Sequence, residues 1–258
     1  MTTSSVSWQR IRDILSPNPP TIAILDRITR HFGSRLEFYF QESTKQESSV
    51  RFRRASAQDE LERIIVTIHT QPPAIIHECL HVKLAADGFP LLLGKKPTGP
   101  KAQFEFDSAR SLENVLSHAV FLDQFLSFGF GRFDFATDVQ KSENLPEFEK
   151  MIDGVLQNGL LTPIARGLWN RIYFEQLIAD RMGMPNKRNG FLSLGRKRFP
   201  GMDADADWLS TWFDRGDFRN AVLFPSAVNQ MLERIGLASV KWSRIEPVAG
   251  RLLLVDVP

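Results

Sequence analysis

Ala74-Ile75-Ile76-His77-Glu78-Cys79-Leu80-His81-Val82 carries the pattern H-E-x-x-H, and its reading decides how the rest of the chain is understood. In a helix, a turn of 3.6 residues puts His77 and His81 on one face, one turn apart, with Glu78 beside them. Two imidazoles so placed can bind one Zn²⁺ while the carboxylate reaches a water on the ion. Apolar Ile75, Ile76 and Val82 surround the histidines, and uncharged Cys79 and Leu80 separate them, as a buried metal helix requires. Cys79 falls about 200° around the helix from His77. It therefore packs away from the metal in a structural role.

Outward from this stretch, Thr70 is placed to cap a helix beginning near Pro72-Pro73, and Gly88-Phe89-Pro90 ends it after roughly four turns. Just before it, Arg63-Ile64-Ile65-Val66-Thr67-Ile68-His69-Thr70 is rich in β-branched residues and reads as a strand. Arg35 to Phe40 and Ser49 to Arg54 read as two further strands. A helix from Thr21 to Phe32, with Ile22, Leu25 and Ile28 facing a core and Gly33 closing it, precedes them. Before that come an amphipathic start from Trp8 to Leu15 and the turn-rich Ser16-Pro17-Asn18-Pro19-Pro20.

The H-E-x-x-H segment, with a strand shortly before it, resembles the active-site helix of the zincin metallopeptidases. The resemblance implies a zincin-like core in which His77 and His81 bind zinc and Glu78 acts as general base. A catalytic zinc needs a third protein ligand and an open position for water. In the metzincin branch the helix stops at a glycine soon after the second histidine and a third ligand follows. Here Leu84 and Asp87 stand in those places. If the helix runs on to Gly88, Asp87 lies about 9 Å along its axis from His81.

In the gluzincin branch the third ligand is a glutamate on a later helix. Ser108 to Phe128 reads as such a helix, closed by Gly129, with Leu112, Val115, Leu116, Ala119, Leu122 and Leu126 as its stripe and Phe121 and Phe125 widening it. Glu113 is its only glutamate, and at about 100° per residue it points opposite the apolar face, whereas His118 lies within that face. A third histidine also has precedent among zincins, in the SprT-like proteins. His118 and Glu113 are thus the two candidates, with His118 preferred. Asn114, one turn from His118, could orient a ligand through its amide.

Elsewhere, Leu91 to Phe106 reads as a basic loop, Phe128 to Phe135 as an aromatic connector, and the remainder as mostly helical. Helices are expected at Pro146 to Leu156, Thr162 to Met182, Trp208 to Phe213 and Ser226 to Ile235. Between them lies a basic loop from Gly183 to Arg198. Val240 to Ile245 and Arg251 to Val255, around Ala249-Gly250, can form a terminal hairpin. Asp203, Asp205 and Asp207 alternate like a calcium loop, but Trp208 stands where glycine is needed, so acidic residues at a helix start explain them better.

The chain of 258 residues is 43% hydrophobic and 24% charged, the composition of a folded globular protein. A net charge of +2, from 32 basic and 30 acidic residues, indicates no general nucleic-acid or membrane attraction. One cysteine rules out an internal disulfide framework and any multi-cysteine zinc site. No secretory signal or membrane-spanning run is evident, so the expected compartment is the cytoplasm. The expected fold class is α+β. Residues 1–145 would form the zincin-like, metal-binding domain, with a small sheet packed on the metal helix, and residues 146–258 a mainly helical region. The expected function is zinc-dependent hydrolysis of a peptide or protein substrate. A non-enzymatic binding or regulatory protein on a zincin-like scaffold is the alternative.

Overall fold

The structure, a computed structural model, describes residues 3–41, 48–55, 59–93, 98–135, 150, 163–184 and 202–257. It is a mixed α+β protein whose described residues form a four-stranded and a two-stranded sheet among many helices. The chain divides into two compact units: Met1–Leu93 with Phe121–Asp138 and Lys241–Pro258, and Gly94–Val120 with Val139–Val240.

The first unit opens with β1 (Thr3–Val6), α1 (Trp8–Leu15) and α2 (Pro19–Phe32). Then come β2 (Leu36–Gln41), β3 (Ser49–Arg54) and β4 (Leu61–Ile68), followed by α3 (Pro72–Ala86). The strands lie in the order β1-β2-β4-β3, with β2 and β4 parallel and the two outer strands antiparallel to their neighbours. β1 is a strand that the sequence did not announce. Its residues, Thr3-Ser4-Ser5-Val6, have no apolar alternation, and partnership with Phe38–Gln41 across the sheet creates it.

Side chains alternate across the sheet, so Phe38 and Val66, paired in register, share its dry side. Ile64, Val66 and Ile68 are fully buried, and each contributes roughly 1.5–3 kcal/mol of apolar burial. The opposite side carries polar groups: the Tyr39 hydroxyl donates to Glu37 Oε2 at 2.8 Å, and Arg63 pairs with Glu62 at 2.7 Å. A one-sided sheet needs a helix on its dry face. α3 fills that place against β3 and β4, with α2 packed on α3.

The end of α3 follows from backbone chemistry. Gly88, at φ +84°, lets its N–H reach Ala85 O at 3.2 Å and lets Phe89 N reach Leu84 O at 3.0 Å. These two bonds form a Schellman cap. A Cβ at Gly88 would meet only Arg244 Cδ, at 3.8 Å, an ordinary contact. The backbone cost therefore stands alone. Gly88→Ala should destabilise the protein by about 1–2 kcal/mol in urea unfolding.

The unit is completed by β5 (Trp242–Val248) and β6 (Arg251–Val257), an antiparallel hairpin. Its two-residue turn, Ala249 at φ +49° and Gly250 at φ +79°, has the positive φ pair of the type I′ geometry. Leu91 and Ser243 exchange backbone hydrogen bonds of 2.7 and 3.0 Å, and Leu254 N donates to Asp59 O at 2.7 Å.

α4 spans Pro100–Ser127, and the division between the units falls within it. It begins eight residues before the expected Ser108, so the expected loop from Leu91 to Phe106 is helical from Pro100 onward; residues 94–97 lie outside the described residues. Pro100 suits a first turn, Gln103 N bonds Gly99 O at 3.0 Å, and Gln103 and Asp107 pair one turn apart at 2.7 Å. Those polar turns carry the helix where no apolar stripe advertises it.

In the second unit follow Pro163–Arg181, Met202–Arg215 and Phe224–Arg234, all helices. Their described core includes Phe174, Ile178, Trp212, Phe218, Val228 and Met231. Asp205 and Asp207 lie in the first half of the Met202–Arg215 helix, where Asp205 pairs with Arg234 at 2.7 Å. The expected helix from Pro146 to Leu156, apart from Lys150, and residues 185–198 of the expected basic loop lie outside the described residues. Among the described residues no helix is long and apolar enough to cross a membrane.

Candidate metal centre

α3 begins at Pro72 and Pro73, which need no N–H partner in a first turn, and its ladder starts with Ile75 N to Gln71 O at 3.1 Å. The cap position is Gln71 in extended conformation, without a side-chain capping bond, so Thr70 does not serve the expected role. Two consecutive prolines at the start move the cap to the residue directly before them. From Ile75 to Leu80 every residue of α3 is buried, and Val82, Leu84 and Ala85 continue the run.

This is an unusual helix to carry three polar side chains. His77 is 5% exposed and Glu78 4%, while His81, one turn on, is half-buried. Desolvating such groups costs several kcal/mol unless other interactions compensate.

The partner for this set comes from α4. Its end is anchored by Asn18 at the start of α2, whose Nδ2 donates to Phe128 O at 2.7 Å. Gly129, at φ +86°, then turns the chain away. His118 on α4 is 4% exposed, and its ring nitrogen joins those of His77 and His81 in a group whose donor atoms all lie within 4.8 Å of one another. Glu113 is half-buried, Asn114 is exposed, and neither they nor Asp87 belong to this group. Asp87 instead pairs with Lys83 at 2.5 Å and with Arg27.

Three imidazoles around one tetrahedral ion place their nitrogens about 3.3 Å apart. The observed group needs only a modest closure to reach that spacing, so the donor set fits a metal ion. The electrostatics agree. Burial lowers His77 to about 4 from its ordinary 6.5, and burial together with the neighbouring His77 holds His81 well below 6.5. At neutral pH both rings are uncharged, with a lone pair free for coordination. Burial, with Glu78 behind it, pushes the Cys79 thiol upward, so Cys79 stays protonated and outside the donor group.

A pH dependence of stability follows for the metal-free protein. Between about 4 and 6.5 the unfolded chain binds a proton at His77 that the folded chain excludes. Stability from this group is therefore complete above pH 6.5 and lost as pH falls towards 4, by about 3 kcal/mol. Urea midpoints of chelator-treated protein at pH 7.5, 6 and 5 should fall in that order. The fall should be blunted in His77→Gln.

Aromatic rings close the site. Phe121 stands edge-on to both α3 imidazoles, 5.7 Å and 89° from His77 and 4.9 Å and 85° from His81. Phe135, on the short helix α5 (Arg132–Phe135), lies 4.8 Å from His77, and Phe125 lies 6.4 Å away. The aromatic run from Phe128 to Phe135 is visible in the sequence, but which of its rings meets a histidine is not. The reversal after Gly129 decides it, sending Phe135 inward and leaving Phe133 70% exposed. Comparisons with protein-family models, curated proteins and solved structures gave no match to this chain.

Proposed function

We propose that the chain is a zinc-dependent, metallopeptidase-like hydrolase in which His77, His81 and His118 hold Zn²⁺ and Glu78 is the general base. The observation that carries this reading is the convergence of three imidazoles, those of His77 and His118 buried and that of His81 half-buried, two of them one turn apart on a helix that also buries Glu78. The H-E-x-x-H resemblance to zincins supplies the reaction class, and a peptide or protein is the substrate. A bound zinc ion would lower the pKa of a coordinated water towards ~7 and polarise a peptide carbonyl. Glu78 takes the proton released as water attacks that carbonyl and passes it to the leaving amine. A free, buried Cys79 fits a reducing compartment, and the cytoplasm is the proposed one.

One observation favours a second reading. His77, Glu78 and His118 are each no more than 5% exposed, a burial that also suits a closed structural zinc on a non-enzymatic binding scaffold. Protein purified without added metal should contain about one zinc per chain, and it should cleave members of a broad peptide library in a chelator-sensitive manner. Zinc without cleavage selects the scaffold. A folded, metal-free and inert protein overturns the hydrolase and selects a scaffold without zinc.

A further inference from the structure

We propose that Phe121 is a positioning residue for the metal ligands, its ring fixing the orientation of both α3 imidazoles. The proposal rests on the metal-binding part of the function above. The χ2 torsion of a histidine is broad, so a metal site must restrict it by some neighbour. At many sites a hydrogen-bonded carboxylate or carbonyl does so. In this protein an aromatic ring, Phe121, also contacts both members of the α3 pair. Phe121 is buried, stands nearly perpendicular to His77 at 89° and to His81 at 85°, and lies three residues after His118 on the same helix.

That placement couples the three donors mechanically. The His77 and His81 rings are 5.2 Å apart and inclined at 52°. A ring standing edge-on to each blocks the rotations that would swing either nitrogen out of the group. Because Phe121 and His118 share one turn of α4, the same helix surface that presents the third donor also sets the first two. Edge-to-face packing is attractive as well as steric, so the arrangement is held and not merely crowded.

The test uses Co²⁺, whose visible absorption reports ligand geometry, with Zn²⁺ competition to measure affinity. Phe121→Leu should weaken binding of both ions by about 10–100-fold, the effect of losing an orienting neighbour, and should alter the intensity of the Co²⁺ bands. Phe32→Leu supplies a control for lost packing, since Phe32 is buried on α2. It should keep affinity within about threefold and leave the bands unchanged. If Phe121→Leu does not fold, Phe121→Tyr, which keeps the ring, should bind Co²⁺ more tightly than Phe121→Met, which keeps only the volume. Wild-type affinity and spectrum in Phe121→Leu, equal weakening in Phe32→Leu, or the reverse order of the Tyr and Met variants would overturn the positioning role. A wild-type protein that binds neither ion overturns the metal centre itself, a distinct result.

Discussion

Protein carrying His118→Ala should lose its metal during purification, while Glu113→Ala should keep about one zinc per chain. The difference follows from where α4 places the two side chains: the His118 nitrogen lies in the donor group within 4.8 Å of the α3 nitrogens, and Glu113 lies outside it. Structural zinc sites are worth roughly 10–16 kcal/mol in total, or about 3 kcal/mol for each of four positions, so one lost donor weakens binding by roughly 100-fold. His77→Ala should do the same and also leave a cavity in the aromatic wall. Elemental analysis beside a competition titration reads both effects. Zinc retained by His118→Ala and lost by Glu113→Ala would reverse the assignment of the third ligand.

Glu78→Gln should separate binding from chemistry. Glutamine has almost the shape of glutamate but accepts no proton, so the variant should load zinc to the wild-type level. Its hydrolysis of a peptide substrate should fall by about 10²–10⁴-fold, the usual worth of a positioned general base. The measurement pairs kcat/KM with metal content on the same preparation. Full activity in the variant would remove Glu78 from the mechanism while leaving the three imidazoles in place.

Local patterns carried much of this into view, and for physical reasons. Pro72-Pro73 and Gly88 bound α3 because one tolerates a first turn and the other supplies a positive φ, both properties of single residues. The expected strand Arg63 to Thr70 appears as Leu61–Ile68, shifted by two residues at each end. The periodicity of α4 was enough to set His118 inward and Glu113 aside, since a helix fixes direction from sequence spacing alone. What stayed hidden depends on distant partners. Thr3–Val6 becomes a strand only because Phe38–Gln41 offers it a ladder, and Phe135 meets His77 only because the chain reverses after Gly129. The first turns of α4 were missed because polar side chains one turn apart stabilise them without an apolar signature.

The terminal hairpin has a consequence in time. The unit that contains His77, His81 and Phe121 is assembled from three separated stretches of chain, the last of which is Lys241–Pro258. At roughly 5–20 residues per second, a ribosome that has just added His118 needs about 7–30 s more to reach Val257. Throughout that interval all three imidazoles exist on a nascent chain whose Leu91 and Asp59 still await their strand partners, Ser243 and Leu254. The last stretch of this unit therefore joins it well after all three imidazoles have been made. Any ion captured earlier is held by a partly built shell, open to exchange until the last strand docks.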